Sequence, residues 1–142
     1  TVGNAIITGS VLIYSSNLLV VGATTPTANT VVGVAAAPDS SAPGSNMANQ
    51  PTGVTFREDT IQFYVANTRD RYISHFCNGS DTYTAPATTD IGVSYGIRKA
   101  ATGEWIVDKA LVTTDARVII RAIDIGNLFV TWNWLSTAIL GP

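Results

Sequence analysis

Arg117-Val-Ile-Ile-Arg-Ala-Ile-Asp-Ile125, then Gly126-Asn127, then Leu128-Phe-Val-Thr-Trp-Asn-Trp-Leu135 reads as two β-strands joined by a tight hairpin turn. β-Branched and aromatic residues dominate both runs, and polar residues recur with a period of two. In the first run Val118, Ile120, Ala122 and Asp124 are expected to face one way. In the second, Trp132 and Trp134 share a face, while Thr131 and Asn133 belong to the other. The Gly-Asn dipeptide between the runs is suited to a short hairpin loop.

Moving upstream, the same grammar repeats at short intervals. Glu104–Asp108 reads as a strand after the turn Ala101-Thr102-Gly103, and Gly92–Arg98 reads as another. Arg71–Cys77 precedes the turn Asn78-Gly79-Ser80-Asp81 and a loop containing Pro86. Thr60–Ala66 alternates Ile61, Phe63 and Val65 with Gln62 and Tyr64, and Val54–Arg57 is a shorter run of the same kind. No stretch holds a helical period for more than about two turns. Eight or more short strands separated by turn residues imply an all-β fold. The expected architecture is a small antiparallel β-barrel or β-sandwich.

The N-terminal third has a different texture. No charged residue occurs before Asp39. Val11–Tyr14 and Leu18–Val21 are apolar runs separated by Ser15-Ser16-Asn17, and they read as strands. An uncharged segment of this length must be covered, because free apolar strand edges invite aggregation. Residues 11–36 are expected in the domain's own core. For residues 1–10 two readings stand, a core strand or an extended arm on a neighbouring subunit. Residues 37–53 hold three prolines and two glycines in a Ser- and Asn-rich setting. They are expected to form a long Pro/Ser-rich surface loop.

The totals bound the function. The chain of 142 residues fits one domain, 1–142. It is 46% hydrophobic and only 13% charged, against about 25% charged in a typical soluble domain. Such a surface suits burial in an assembly. The net charge is −2, and the nearest basic cluster, Arg69-Asp70-Arg71, contains its own acid. Nucleic-acid binding through phosphates is therefore not expected. No apolar run approaches the ~20 residues of a membrane helix. The start of the chain has no basic region of the signal-peptide kind. Thr1 fits removal of an initiator Met or trimming equally well.

Chemistry-bearing residues are sparse. A single cysteine, Cys77, excludes an internal disulfide framework and suits assembly in a reducing cytosol. His75 is the only histidine. It shares a strand face with Cys77, but side chains two apart on a strand lie ~7 Å apart, too far for a nucleophile–base hydrogen bond. The expected role of His75 is a strand residue with one ring nitrogen satisfied. Asp90, Asp108, Asp115 and Asp124 are isolated in sequence, and Glu58-Asp59 sits in a charged turn beside Arg57. No segment has the ligand spacing of a calcium loop, and Gly92-Val-Ser-Tyr-Gly96 lacks the Lys and the helix of a phosphate loop. Asn78-Gly79-Ser80 matches a glycosylation sequon in a turn. No catalytic residue, metal or cofactor is expected, and the chain reads as a non-enzyme.

The ordered series Asp90-Ile-Gly92-Val-Ser-Tyr95-Gly-Ile97, Gly103-Glu-Trp105-Ile-Val107-Asp108, Ala116-Arg-Val118-Ile-Ile120 and Asn127-Leu-Phe-Val130 resembles the capsid cement, or head decoration, proteins of tailed bacteriophages. Val32-Gly-Val-Ala-Ala36 and Gly53-Val-Thr-Phe-Arg-Glu-Asp-Thr60 resemble the same group, so the likeness spans about residues 30–136. Its motifs are turn residues and apolar alternation rather than a catalytic signature. The resemblance implies a small β domain that sits on the outer capsid surface as a homotrimer. There it would bind between neighbouring major capsid protein subunits, with no small-molecule substrate.

The expected partner-contact residues are Val11, Ile13, Tyr14, Leu18 and Leu19 of the uncharged segment, Met47 of the loop, and Trp132 and Trp134. The tryptophan pair admits two readings, core packing or an exposed platform. On the second reading the chain would instead be a tail, fibre or receptor-binding module that holds a glycan on its Trp-bearing face. Trp105 is expected in the core.

Overall fold

The structure, a computed structural model, describes residues 8–15, 18–22, 25–36 and 63–141. The expected Val54–Arg57 strand, the 37–53 loop with Met47, and residues 1–7 of the segment read as core strand or arm lie outside the described residues.

Strands β1 (Val11–Ser15), β2 (Leu18–Val21), β3 (Val31–Ala35) and β4 (Phe63–Val65) form an antiparallel sheet in the order β2-β1-β3-β4. Strands β5 (Tyr72–Cys77), β6 (Ser94–Lys99), β7 (Trp105–Asp108), β8 (Val118–Asp124) and β9 (Phe129–Trp134) follow as a second sheet. It closes on itself in the order β5-β7-β6-β8-β9. Two single 3₁₀ turns, Thr88–Asp90 and Thr113–Asp115, punctuate the connections, and the described residues contain no α-helix. The all-β expectation holds.

The second sheet is a ring rather than a regular barrel. Its closure is a short parallel contact in which Phe76 faces Val107 and Cys77 faces Asp108. The parallel direction follows from the path of the chain. The turn after β6 sends β7 back antiparallel to β6, and this return places β7 alongside β5. The remaining pairings of the ring are antiparallel.

Two local expectations are corrected in the final hairpin. Val118 and Ile120 are fully buried, but Ala122 and Asp124 are exposed rather than on the same inward face. The register shifts between Ile120, which faces Trp132, and Ala122, which faces Thr131. Arg121 is thus the extra residue of a bulge, and a bulge reverses the alternation beyond it. The inward position passes to Ile123, which packs against the core. The connection itself is not a two-residue turn. Asp124 faces Phe129 in the ladder, which leaves residues 125–128 as the loop. Leu128 takes the positive φ of 62°, and the Asp124 carboxylate accepts hydrogen bonds from Asn127 N (3.1 Å) and Nδ2 (2.8 Å).

The two sheets share one core. Val11, Val31 and Val34 of the first sheet pack in the same cluster as Phe76, Ile97, Val118 and Trp134 of the ring. The described strands within residues 11–36 therefore contribute to the domain's own interior, as expected. The chain after β9 seals the joint. Val31 donates its N–H to Ala138 O (3.1 Å), and Leu140 N–H returns to Val31 O (2.8 Å). Arg117, only 6% exposed, donates Nε to Pro26 O (2.8 Å) and Nη1 to Thr114 O and Ala116 O. A buried guanidinium satisfied by carbonyls ties the 25–30 segment to the ring.

Candidate functional site

The residues expected to contact a partner divide sharply. Trp132 and Trp134 are 3% and 1% exposed, and Val11 is 1% exposed. They belong to the core and are almost closed to solvent. The two indoles meet edge to face at 4.9 Å, and Tyr72 stacks on Trp132 at 4.8 Å. Neither indole stands as an exposed platform: Tyr72 stacks on Trp132, and Trp134 meets Tyr72 and Trp132 edge to face. Trp105 is buried as expected.

Ile13 is half-buried against the main core, and Leu19 is half-buried against Leu12 and Ala35. Tyr14 is exposed at 44%. Leu18 lies in β2 opposite Ser15, its side chain outside the description, as Met47 is altogether. Among the described residues, the apolar side chains most open to solvent are ones that sequence reading passed over: Ile73 (68%), Val65 (64%) and Tyr64 (62%). Periodicity could not select them. Tyr64 and Val65 are consecutive residues on β4, at the edge of the first sheet, so both of its faces are open there.

A groove of about 710 Å³ runs beside β5, with Tyr72, His75, Glu104, Trp105, Phe129 and Trp132 among its walls. His75 lies between two rings, Tyr83 at 3.9 Å and nearly parallel, and Phe129 at 4.3 Å. Its Nδ1 meets Glu104 Oε1 at 2.5 Å, and the Tyr83 hydroxyl donates to Glu104 Oε2. The hydrogen bond to Glu104 pushes the Tyr83 phenol above its ordinary range. His75 thus has one ring nitrogen satisfied, as expected, but by Glu104, which lies 29 residues away in sequence. Nothing in the spacing signals that contact. It is made by the β6–β7 return that brings residue 104 alongside β5.

His75 and Cys77 do not work together. Cys77 is fully buried, and burial, followed by the negative charge of Asp108, pushes its thiol up to about 11. A thiol held protonated in this way is a packing group rather than a nucleophile.

Three of the four acids that looked isolated in sequence are engaged by hydrogen bonds or ion pairs. Asp90, 1% exposed, accepts hydrogen bonds from Ala87 N (2.8 Å), Tyr95 Oη (2.7 Å) and Lys109 Nζ (2.9 Å). Asp108, 2% exposed, accepts from Gly79 N (2.7 Å) and Ala110 N (2.9 Å), and faces Arg98 at 3.4 Å. Arg98 also pairs with Asp81 at 2.7 Å. Asp124 caps the last hairpin loop, and its hydrogen bonds to Asn127 hold its carboxyl below the usual range. Among the described residues, no three His, Cys, Asp or Glu side chains are grouped so as to hold a metal ion.

No family model, no curated protein and no solved structure matches this chain.

The Asp90 cluster carries a prediction for acid stability. Burial raises the carboxyl, but the hydrogen bonds from Ala87, Tyr95 and Lys109, with the Lys109 charge, outweigh it and leave the pKa lowered. A folded-state pKa below the unfolded value gives stability that is present above the unfolded pKa, near 3.9, and is lost as pH falls through the folded value. The Asp90→Asn variant should therefore lose stability at neutral pH and show a flatter acid limb than the parent. Urea midpoints measured from neutral pH down through the carboxylate range check this. Equal acid slopes in the two proteins would contradict the assignment.

Proposed function

We propose that this chain is a structural virion protein that cements or decorates a bacteriophage capsid. It assembles in the bacterial cytoplasm and binds on the outer capsid surface between neighbouring major capsid protein subunits, as a homotrimer. One observation carries the reading. A chain with only 13% charged residues exposes large apolar side chains on strands, Ile73, Val65 and Tyr64 at 68%, 64% and 62%. Exposed apolar surface on strands, one of them a sheet edge, is a liability for a free monomer and an asset in an interface. The resemblance in turn and strand motifs points to the same class. Low charge also limits repulsion between many copies packed on one shell.

On this reading the chain has no catalytic step. Its work is the summed contact area that holds neighbouring capsid subunits against outward pressure. The Asp90, Asp108 and Arg117 clusters keep the ring rigid so that the contact surface is already formed before docking.

The reading is tested on particles. The Tyr64→Ser/Val65→Thr double variant alters side chains that are already solvent-exposed, so it should fold with a melting temperature close to the parent's. Its occupancy on particles should fall by about tenfold, the factor for about 1.4 kcal/mol of lost contact. Particles stripped of the protein should rupture at lower temperature or milder osmotic shock than decorated ones. Undecorated particles that survive both treatments equally well would sink the proposal.

A further inference from the structure

The turn after β5 contains the dipeptide Asn78-Gly79, the pair of residues whose backbone is most open to deamidation, since glycine places no side chain in the way of ring closure. The turn needs that glycine, because residue 79 has a φ of +75°. Asn78 is exposed. Exposure and sequence together would make this a fast-ageing site.

The structure adds a restraint. Gly79 N–H, the group whose nitrogen would attack, is held by Asp108 Oδ1 at 2.7 Å. The carboxylate is 2% exposed and is itself fixed by Ala110 N–H and Arg98. Asp108 is also the residue that faces Cys77 in the parallel contact closing the ring.

We propose that Asn78 is an intrinsic deamidation site of this chain and that Asp108 suppresses the reaction for as long as the β5·β7 closure holds. In the reaction the Gly79 nitrogen loses its proton and attacks Asn78 Cγ. An N–Cγ bond forms, the Cγ–Nδ2 bond breaks, and ammonia leaves. Water then opens the succinimide to aspartate or isoaspartate. Asp108 opposes this in two ways. Its hydrogen bond holds the N–H whose proton must be lost, and its negative charge disfavours the amide anion that must form. Opening of the ring at Phe76–Val107 and Cys77–Asp108 releases both restraints. The product adds one negative charge, taking the net charge from −2 to −3, in a loop that already carries Asp81. Opening is thus recorded as a permanent covalent change.

The experiment incubates the intact 142-residue chain at mildly alkaline pH and follows deamidation at Asn78 by peptide mass and isoaspartate content. The chain unfolded in urea should deamidate at Asn78 at least about tenfold faster than the native chain, the factor for loss of one charge-assisted hydrogen bond. The Asp108→Asn variant, shown to be folded by its near-ultraviolet circular dichroism, should lie between the two. Hydrogen exchange gives a readout that needs no variant: the Gly79 amide should exchange much more slowly in the native chain than in the chain unfolded in urea. Equal Asn78 rates in native and unfolded chain, or a Gly79 amide that exchanges equally fast in both, would overturn the proposal.

Discussion

The Gly96→Val variant should be among the most damaging single substitutions in the ring. Gly96 lies on β6 opposite Asp108 of β7, and its N–H donates to Leu111 O at 2.6 Å. A Cβ built there would stand 2.3 Å from Leu111 Cβ, 2.8 Å from Leu111 Cδ1 and 2.9 Å from Asp115 O. The nearest of these atoms is not the free end of a flexible side chain, and the third is backbone. Relief would need the 111–115 segment to move off the strand. Overpacking a tight site commonly costs 1–3 kcal/mol, and a clash of this closeness with a branched side chain should reach about 3 kcal/mol or more. Urea unfolding at neutral pH measures it. A loss below about 1 kcal/mol would mean that the 111–115 segment yields freely.

The Trp134→Ala variant tests the opposite failure, an emptied core. Trp134 is 1% exposed, faces Val118 across the β8–β9 ladder, and meets Trp132 edge to face at 4.9 Å. Removing a buried indole forfeits its transfer free energy and leaves a cavity, together about 3–5 kcal/mol. A chain of this size has only about 5–15 kcal/mol of net stability. The melting temperature should therefore fall by about 10 °C, at roughly 2–4 °C per kcal/mol. A shift of only a degree or two would imply that Tyr72 and Trp132 collapse into the space. If Trp134 were instead a surface platform, the substitution would leave the melting temperature unchanged.

These two substitutions frame what was readable in advance. The tryptophans could be placed on one strand face from their spacing alone, since alternation is a local property of extended backbone. Which face was covered could not be read, and Asn133 shows why. It lies between the two tryptophans on the polar-looking side of β9, yet is 4% exposed. The 69–70 loop folds over it. Its Nδ2 donates to Arg69 O (3.1 Å) and Asp70 O (2.7 Å), and its Oδ1 accepts from Arg121 Nε (2.7 Å). Both faces of β9 are thus covered near its end, one by the core and the other by a loop more than 60 residues upstream in the chain. Polar spacing signals neither the loop nor the bulge at Arg121 that delivers the guanidinium.

The candidate site was legible only in part. His75 was visible as the single histidine, with one ring nitrogen expected to be satisfied. Glu104 and Tyr83 were not visible as its partners, because long-range contacts between short strands leave no local periodicity. The exposed set Tyr64, Val65 and Ile73 was likewise invisible. Apolar residues on strands read as buried until the order of strands shows which strand is the edge.

By itself, the sequence determined that this protein is built from short strands and where most of them run, and it set the expectation that the uncharged N-terminal third is covered. These properties follow from local backbone preference and from the aggregation hazard of uncharged apolar strands. Only the tertiary structure decided that β5 and β7 close the ring in parallel. It also decided that Trp132 and Trp134 face inward, and that Asp90, Asp108 and Glu104 meet partners far along the chain. Strand order and register are set by packing over the whole molecule, where each pairing competes with every other, and no window of residues contains that competition.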